Sequence, residues 1–287
     1  MSDGISSTKK INSFFNCGSS VEEILTMNMK YATLNKDYAA EMALMPIEDD
    51  GPIWMVNLMK YRETADYGDS RKSIITGKEA DNLYAPIEIL SDIGAEIVFI
   101  GDVEIQLLGD DPQWDRVAVV KYPTRRSFVE MSARKDFQEK HVHKEAGMQK
   151  TIVMGCVPME MPAYSRKDWK EVAHPPSKND GAITVVHVLQ LNEQIEKMNN
   201  YSLAAGDSAI PNGVHIDGWF QVENTILGDE RKWNQVRFNT FPSRKAFQEV
   251  LKDPARMEAQ KKYRETAISD TYTMIVKPFI NKVFDSI

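Results

Sequence analysis

The chain repeats itself. Leu107–Phe128 reads LLGDDPQWDRVAVVKYPTRRSF, and Ile226–Phe247 reads ILGDERKWNQVRFNTFPSRKAF, at a constant offset of 119 residues. That register places Gly109 on Gly228, Asp110 on Asp229, Trp114 on Trp233, Pro123 on Pro242 and Phe128 on Phe247. Chance rarely holds Gly, Asp, Trp, Pro and Phe in line without a gap, and a repeat of this kind dictates architecture before any local propensity does. Val103-Glu104 meets Val222-Glu223 at the same offset. Further on the offset becomes 120, where Thr151, Met154 and Pro158 meet Thr271, Met274 and Pro278. Upstream, IWMVNL from Ile53 resembles ITVVHV from Ile183. We read a tandem duplication, which restricts the chain to folds made of two like units.

The first copy yields one order of elements. Ile53 to Lys60 is a short apolar run, read as a strand. Thr76-Gly77-Lys78-Glu79 has the form of a capping box, followed by Ala80, Leu83, Tyr84, Ile87 and Leu90 at helical spacing, with Pro86 expected to break or kink that helix. Glu96 to Leu108 is β-rich, residues 109–113 turn, and Trp114 to Tyr122 alternates as a strand that Pro123 stops. Thr124 suits the cap of a second helix bearing Phe128 and Met131, and Thr151 to Val157 is a last strand. The second copy predicts strands at about Ile183–Gln190, Val214–Leu227, Trp233–Phe241 and Thr271–Lys277, with helices at about Asn192–Ala205 and Ser243–Thr266. The order βαββαβ is the ferredoxin-like unit.

Such a unit lays two helices on one face of a four-stranded antiparallel sheet and leaves the other face to be covered. Two copies can cover each other. The expected fold is therefore α+β: two tandem ferredoxin-like repeats packed sheet to sheet as an intramolecular dimeric barrel. The expected division is a helical extension over 1–50, repeats over 51–160 and 182–280, a polar Pro-bearing linker over 161–181, and a tail over 281–287. Ser20-Val21-Glu22-Glu23 opens a helix expected from about Val21 to Leu44. Trp169 is expected to anchor the linker. Val117 and Val119, with Val236 and Phe238, are assigned to the helix side of their strands. Arg116, Ala118, Val120 and Tyr122, with Gln235, Arg237, Asn239 and Phe241, are assigned to the sheet-to-sheet side, where their mixed polarity predicts a partly polar cavity.

The runs NLMKYRETADYGD, TGKEADNLY and WDRVAVVKYPTRRSFVEM resemble the dimeric α/β-barrel superfamily, and within it an uncharacterised-domain family with an "NLLK"-like first strand and a "YPS…F" strand-to-helix junction. The resemblance covers residues 53–158 well. It covers 183–278 more weakly, because His187 stands where that pattern has Asn and no TG-x-E cap precedes the first helix. It implies a barrel of two ferredoxin-like units, here from one chain. The superfamily includes cofactor-free oxygenases, lactone isomerases, haem enzymes and stress-response proteins, so the resemblance implies a fold without naming a chemistry.

Composition narrows the function classes. Lys and Arg number 35 against 42 Asp and Glu, a net charge of 35 − 42 = −7, which is the wrong sign for nonspecific nucleic-acid binding. Two cysteines, Cys17 and Cys156, give neither a disulfide framework nor metal spacing. No segment has the length and apolarity of a signal peptide core or a membrane span, so we expect a cytoplasmic protein without a membrane partner. The sequence holds no phosphate-binding glycine loop, HExxH, CxxC or nucleophile elbow. Gly213-Val214-His215-Ile216-Asp217-Gly218 is similar to the glycine-to-Asp-Gly motif of dye-decolourising peroxidases, with a spacing one residue too long.

The candidate residues follow from these limits. His187 lies mid-strand among valines and corresponds to Asn57; a polar group there must find a partner or line a pocket. His143 aligns with Tyr263, a polar aromatic position late in the second helix. His187, His143 and Asn57 are the predicted acid–base and orienting groups. Tyr61, Tyr84, Tyr122, Trp219, Arg237 and Asn239 are the predicted substrate contacts. Trp114 and Trp233 are read as packing anchors. Neither a metal nor a cofactor is expected. The expected function is binding of a small, mostly apolar organic molecule, with cofactor-independent isomerase, cyclase or monooxygenase chemistry if it is an enzyme. A homo-oligomer through the barrel exterior is the expected assembly. The alternatives are a non-catalytic stress-response or interaction module and a haem-dependent enzyme.

Overall fold

A computed structural model describes residues 29–68 and 74–287. The first copy contains β2 (Ile53–Tyr61), α2 (Gly77–Tyr84), α3 (Ile87–Asp92), β3 (Glu96–Leu108), β4 (Arg116–Tyr122), α4 (Arg125–Ala133), α5 (Lys135–Gly147) and β5 (Met148–Pro158). It is preceded by β1 (Thr33–Leu34) and α1 (Lys36–Leu44). The second contains β6 (Ile183–Leu191), α6 (Ile195–Ala209), β7 (His215–Gly228), β8 (Gln235–Phe241), α7 (Arg244–Lys252), α8 (Pro254–Ala259), a π turn (Gln260–Arg264), α9 (Glu265–Ala267) and β9 (Ile268–Asn281), before the last helix α10 (Val283–Ser286).

The strands are hydrogen-bonded in the order β1-β7-β5-β2-β4-β3-β9-β6-β8, and β7 also pairs with β8. That last pairing closes eight strands into a barrel. Each copy contributes the spatial order fourth, first, third, second: β5-β2-β4-β3 and β9-β6-β8-β7. β3 pairs with β9, with Phe99 opposite Asn281 and Val103 opposite Val276. Joining the edges satisfies backbone groups that two stacked open sheets would leave bare.

The local signals explain most boundaries. Thr76 accepts from Glu79 N at 3.2 Å while the Glu79 carboxylate accepts from Thr76 N at 2.7 Å, the reciprocal cap that starts α2. Pro86 separates α2 from α3. The helix expected over Ser243–Thr266 is broken at Asp253–Pro254. Proline has no amide to continue α7, whereas it suits the first turn of α8, where Asp253 accepts from Arg256 N at 2.8 Å. The helix expected from Val21 to Leu44 is shorter within the described residues. Thr33–Leu34 pairs with Leu227–Gly228, and Asn35 then caps α1 by accepting from Tyr38 N at 3.1 Å. Its first eight residues, and the box at Ser20, lie outside the described residues.

By density of contacts the chain forms two compact units. The first takes in the chain up to Ile97, Val119–Gly155 and Asn224–Arg231; the second comprises Val98–Ala118, Cys156–Glu223 and Lys232–Ile287. The first unit's core joins Met42, Ile53, Met55, Tyr122, Val129, Met131 and Phe137. In the second, Ile183, Val185, Phe241, Phe247 and Val250 form one cluster, and Leu189, Met198, Tyr201, Ala259 and Ala267 another.

These clusters reverse the expected faces of β4 and β8. Tyr122 packs with Phe128 of α4 at 5.3 Å, Phe241 with Phe247 of α7 at 5.0 Å, and Arg237 donates to Ser202 of α6 at 2.8 Å, so this set faces the helices. Val236 and Phe238 face the other way, and Phe238 meets Phe99 at 5.0 Å and Phe220 at 6.0 Å. Alternation fixes which residues share a face but not which face meets the helices, and here both faces are covered. In the second unit the polar residues of β8 therefore lie in the helix–sheet layer. Trp114 and Trp233 meet the same Tyr272 ring, at 5.6 and 5.4 Å.

Candidate functional site

The helix–sheet layer of the second unit holds a row of polar side chains. His187 of β6 lies opposite Arg237 of β8 and Thr273 of β9, and Arg237 lies opposite Trp219 of β7. Direct cross-strand partners share a face, so Thr273, His187, Arg237 and Trp219 form one line across four strands. Over it come Tyr201 and Ser202 from α6, Arg256 from α8 and Arg264 from the π turn. Arg237 donates from Nε and Nη2 to Gln235 Oε1 at 3.0 and 2.7 Å, and stacks over Trp219 at 4.1 Å. Trp219 Nε1 donates to Asn239 Oδ1 at 3.1 Å. Arg256 Nη2 donates to the Tyr201 hydroxyl at 3.1 Å.

Three features of this row are unusual for a core. First, the His187 side chain has no hydrogen-bond partner among the described residues. Burial, with Arg264, Arg237 and Arg256 nearby, pushes its pKa down to about 3, so the imidazole is neutral. By exposed area the residue is nevertheless only partly buried. Second, Arg264 is 6% exposed and has neither an ion pair nor a hydrogen bond among the described residues; its guanidinium sits 6.0 Å over the Tyr201 ring. Burial lowers its pKa, and lowers that of Arg237 to about 10. Third, Thr273 Oγ1 is buried without a partner. Buried polar groups are ordinarily satisfied, and here a buried hydroxyl without a partner lies on the same row as an unpartnered imidazole, beside an unpartnered guanidinium.

The first unit has a polar cluster in its own helix–sheet layer. Gly77 and Gly147 let α2 and α5 cross closely, since a Cβ on Gly77 would lie 2.4 Å from Gly147 O. The Tyr31 hydroxyl and His141 Nε2 are 3.1 Å apart, and His141 packs against Tyr84 and Phe137 at 6.0 and 5.7 Å. Lys144 Nζ lies 4.8 Å over the Tyr84 ring. Burial lowers the Lys144 pKa while Asp81 opposes that shift, and Asp81 accepts from the Tyr61 hydroxyl at 2.7 Å. Burial, with Lys144, brings His141 down to about 4. Burial raises the Tyr31 and Tyr84 hydroxyls well above the ordinary tyrosine range.

The predicted site residues thus divide between the units. His187, Arg237, Trp219 and Asn239 come together in the second unit. Tyr61 and Tyr84 lie in the first unit's cluster. His143 Nδ1 is 2.8 Å from the Tyr67 hydroxyl. Asn57 donates to Met55 O at 2.9 Å. Tyr122 donates to Met131 Sδ at 3.6 Å inside the apolar core. Sequence reasoning missed Arg264, Arg256, Tyr201, Thr273, Lys144 and Asp81. One signal was available: Lys144 and Arg264 stand 120 residues apart, the offset that joins Met154 to Met274. The peroxidase-like segment is absorbed in structure. His215 stacks on Trp169 at 4.7 Å, and Asp217 accepts from Thr240 Oγ1 and Asn281 Nδ2 at 2.5 and 2.7 Å. Among the described residues no group of three or more His, Cys, Asp or Glu could hold a metal ion, and no helix is long and apolar enough to cross a membrane.

No protein-family model matches the chain, and no curated protein does. Among solved structures, the methylated RPA0582 protein is 29% identical over 47% of this chain and 98% of its own, with a TM-score of 0.40; RPA0582 comes from Rhodopseudomonas palustris. An anthrone oxidase-like protein is 14% identical over 82% of this chain and 96% of its own, at 0.43. A chlorite dismutase mutant from Candidatus Nitrospira defluvii is 10% identical over 83% and 95%, at 0.46. At TM-scores this low none of them assigns a chemistry to this chain.

Proposed function

We propose that this chain is a fused, tandemly duplicated ferredoxin-like barrel that binds a small organic molecule in the helix–sheet layer of its second unit, with His187 as the acid–base group. The observation that carries this reading is the unpartnered His187 imidazole on β6. A neutral imidazole offers one nitrogen as acceptor and the other as donor, and a bound anion would raise its pKa from about 3 toward the range in which it takes up a proton without a cofactor. Arg237, fixed by Gln235 and Ser202, orients the ligand, and Trp219 backs Arg237. The reaction class is proton transfer at an activated carbon or hydroxyl, the step shared by isomerases and cyclases. The repeats span 51–160 and 182–280 in this reading, and the protein works in the cytoplasm.

Native mass spectrometry of the purified protein, with its visible spectrum, tests this. The expected result is a retained small molecule in the wild type, absent from His187→Asn, with no haem band. A His187→Asn protein that keeps the same bound mass removes His187 from the site. A wild type that retains no molecule and binds none from a metabolite extract removes the small-molecule reading and favours an interaction module.

A further inference from the structure

The cations around His187 have no acid to answer them. Arg237 spends its polar contacts on Gln235 and Ser202, both neutral, leaving one N–H on each Nη. Arg256 spends one on the Tyr201 hydroxyl. Arg264 makes none among the described residues. The acids acting nearby are Asp253, which caps α8 beside Arg256, and exposed Glu265 next to Arg264; neither forms an ion pair with any of the three. Buried guanidinium groups are normally matched by carboxylates, because an unmatched one keeps its full desolvation penalty. Here the match must come from outside the chain.

We propose that the ligand of this site is an organic oxyanion, a carboxylate on an apolar body, gripped by Arg264 and the free edge of Arg237. The proposal rests on the small-molecule reading above and adds the chemical class. A planar carboxylate fits the guanidinium fork, and the partnerless Thr273 hydroxyl and His187 lie on the same cross-strand row to take a further oxygen or the adjoining carbon. Beside the cations the layer turns apolar: Leu189, Met198, Ala259 and Ala267 share a cluster with Tyr201. A cationic end joined to an apolar wall selects a carboxylate with a hydrocarbon or aromatic body over a free inorganic anion. The π turn belongs to the same logic. It turns Arg264 inward while Lys261 and Lys262, its neighbours in sequence, stay exposed, and such turns recur at functional sites.

The test uses the full chain and defined probes: benzoate and hexanoate, their neutral counterparts benzamide and hexanol, and inorganic phosphate, each followed by calorimetry and thermal shift. The expected result is that at least one carboxylate binds about tenfold or more tighter than its neutral counterpart. Arg264→Leu should abolish that preference while melting no lower than the wild type without ligand. Arg264→Lys, which keeps the charge and loses the fork, should weaken carboxylate binding and serves if the leucine variant fails to fold. Neutral probes binding as tightly as carboxylates, undiminished carboxylate binding by both Arg264 variants, or no probe binding at all would each overturn the proposal. Phosphate binding alone overturns the organic part and leaves an inorganic oxyanion site. If native mass spectrometry finds a retained neutral molecule that His187→Asn loses, the small-molecule reading stands and the oxyanion inference falls.

Discussion

Lys144 and Arg264 stand 120 residues apart in sequence and face different situations. Both are buried, at 8% and 6% exposure, and both lie over a tyrosine of the copy's first helical segment, Tyr84 or Tyr201. Buried Asp81 acts on Lys144 at a distance, without an ion pair between them, and Asp81 accepts from the Tyr61 hydroxyl. On Arg264 it is Tyr201 and exposed Glu265 that act, likewise without an ion pair. The first unit's buried cation thus has a buried acid near it and the second's an exposed one, while each cluster keeps a buried polar atom without a partner among the described residues, His141 Nδ1 in the first and Thr273 Oγ1 in the second. Both units tolerate a buried cation over a tyrosine ring.

The comparison breaks most visibly through paired truncations. Lys144→Leu removes the buried cation that Asp81 acts on and should destabilise by up to about 3 kcal/mol, the upper size of removing one charge from a buried set. Arg264→Leu removes a charge that has no partner and should leave the ligand-free protein as stable, or more stable by about 1 kcal/mol or more. Urea unfolding of both variants reads the signs. Equal losses would mean that Arg264 is structural and the units do not differ in kind. Asp81→Asn is the next smaller effect. It keeps the shape and removes the charge, costing about 1.5–3 kcal/mol through the charge-assisted hydrogen bond from Tyr61. Its unfolding should lose cooperativity first in the first unit's amides by hydrogen exchange.

Much of the scaffold was legible because it rests on local rules. The capping box at Thr76, the break at Pro86 and the order of strands and helices follow from residue chemistry over a few positions. The face of β4 and β8 did not, since alternation is symmetric until both covering layers are known. The site was legible in part. His187 stood out as a polar residue in an apolar strand, and Arg237 and Trp219 lie beside it in register. Arg264 did not stand out, because Lys261-Lys262-Tyr263-Arg264 reads as a solvated helix surface. Only the π turn brings its last member inside.

Acid sharpens the comparison next. His141 and His187 have native pKa values pushed down to about 4 and about 3, from an ordinary value of 6.5. The unfolded chain therefore takes up protons below about pH 6.5 that the native chain refuses. Stability is complete above pH 6.5 and falls as pH drops, until His141 levels off near pH 4 and His187 near pH 3. Each histidine adds up to one proton to the slope. His141→Phe should remove one step, measured as unfolding free energy against pH. An occupied oxyanion site would favour the imidazolium, so bound carboxylate should flatten the His187 step and leave the His141 step untouched. Flattening of both, or of neither, would contradict a ligand confined to the second unit.

The smallest expected change in stability comes from exchanging the corresponding strand residues, His187 and Asn57. Asn57 turns its amide back to Met55 O at 2.9 Å, which satisfies one donor within its own strand. An asparagine at position 187 has the same backbone geometry available on β6, an antiparallel central strand like β2, so His187→Asn should shift stability by less than about 1 kcal/mol, within the range of shape-conserving changes. It removes the imidazole from that row, so turnover or ligand retention should vanish while the fold persists. Asn57→His is the informative partner. It places an imidazole in the first unit, where buried Asp81 already acts on the buried cation Lys144, so it should gain no carboxylate binding. Carboxylate binding acquired by Asn57→His would show that the histidine alone makes the site and that the unmatched arginines are incidental. Its absence, alongside loss in His187→Asn, assigns recognition to the arginines and chemistry to His187.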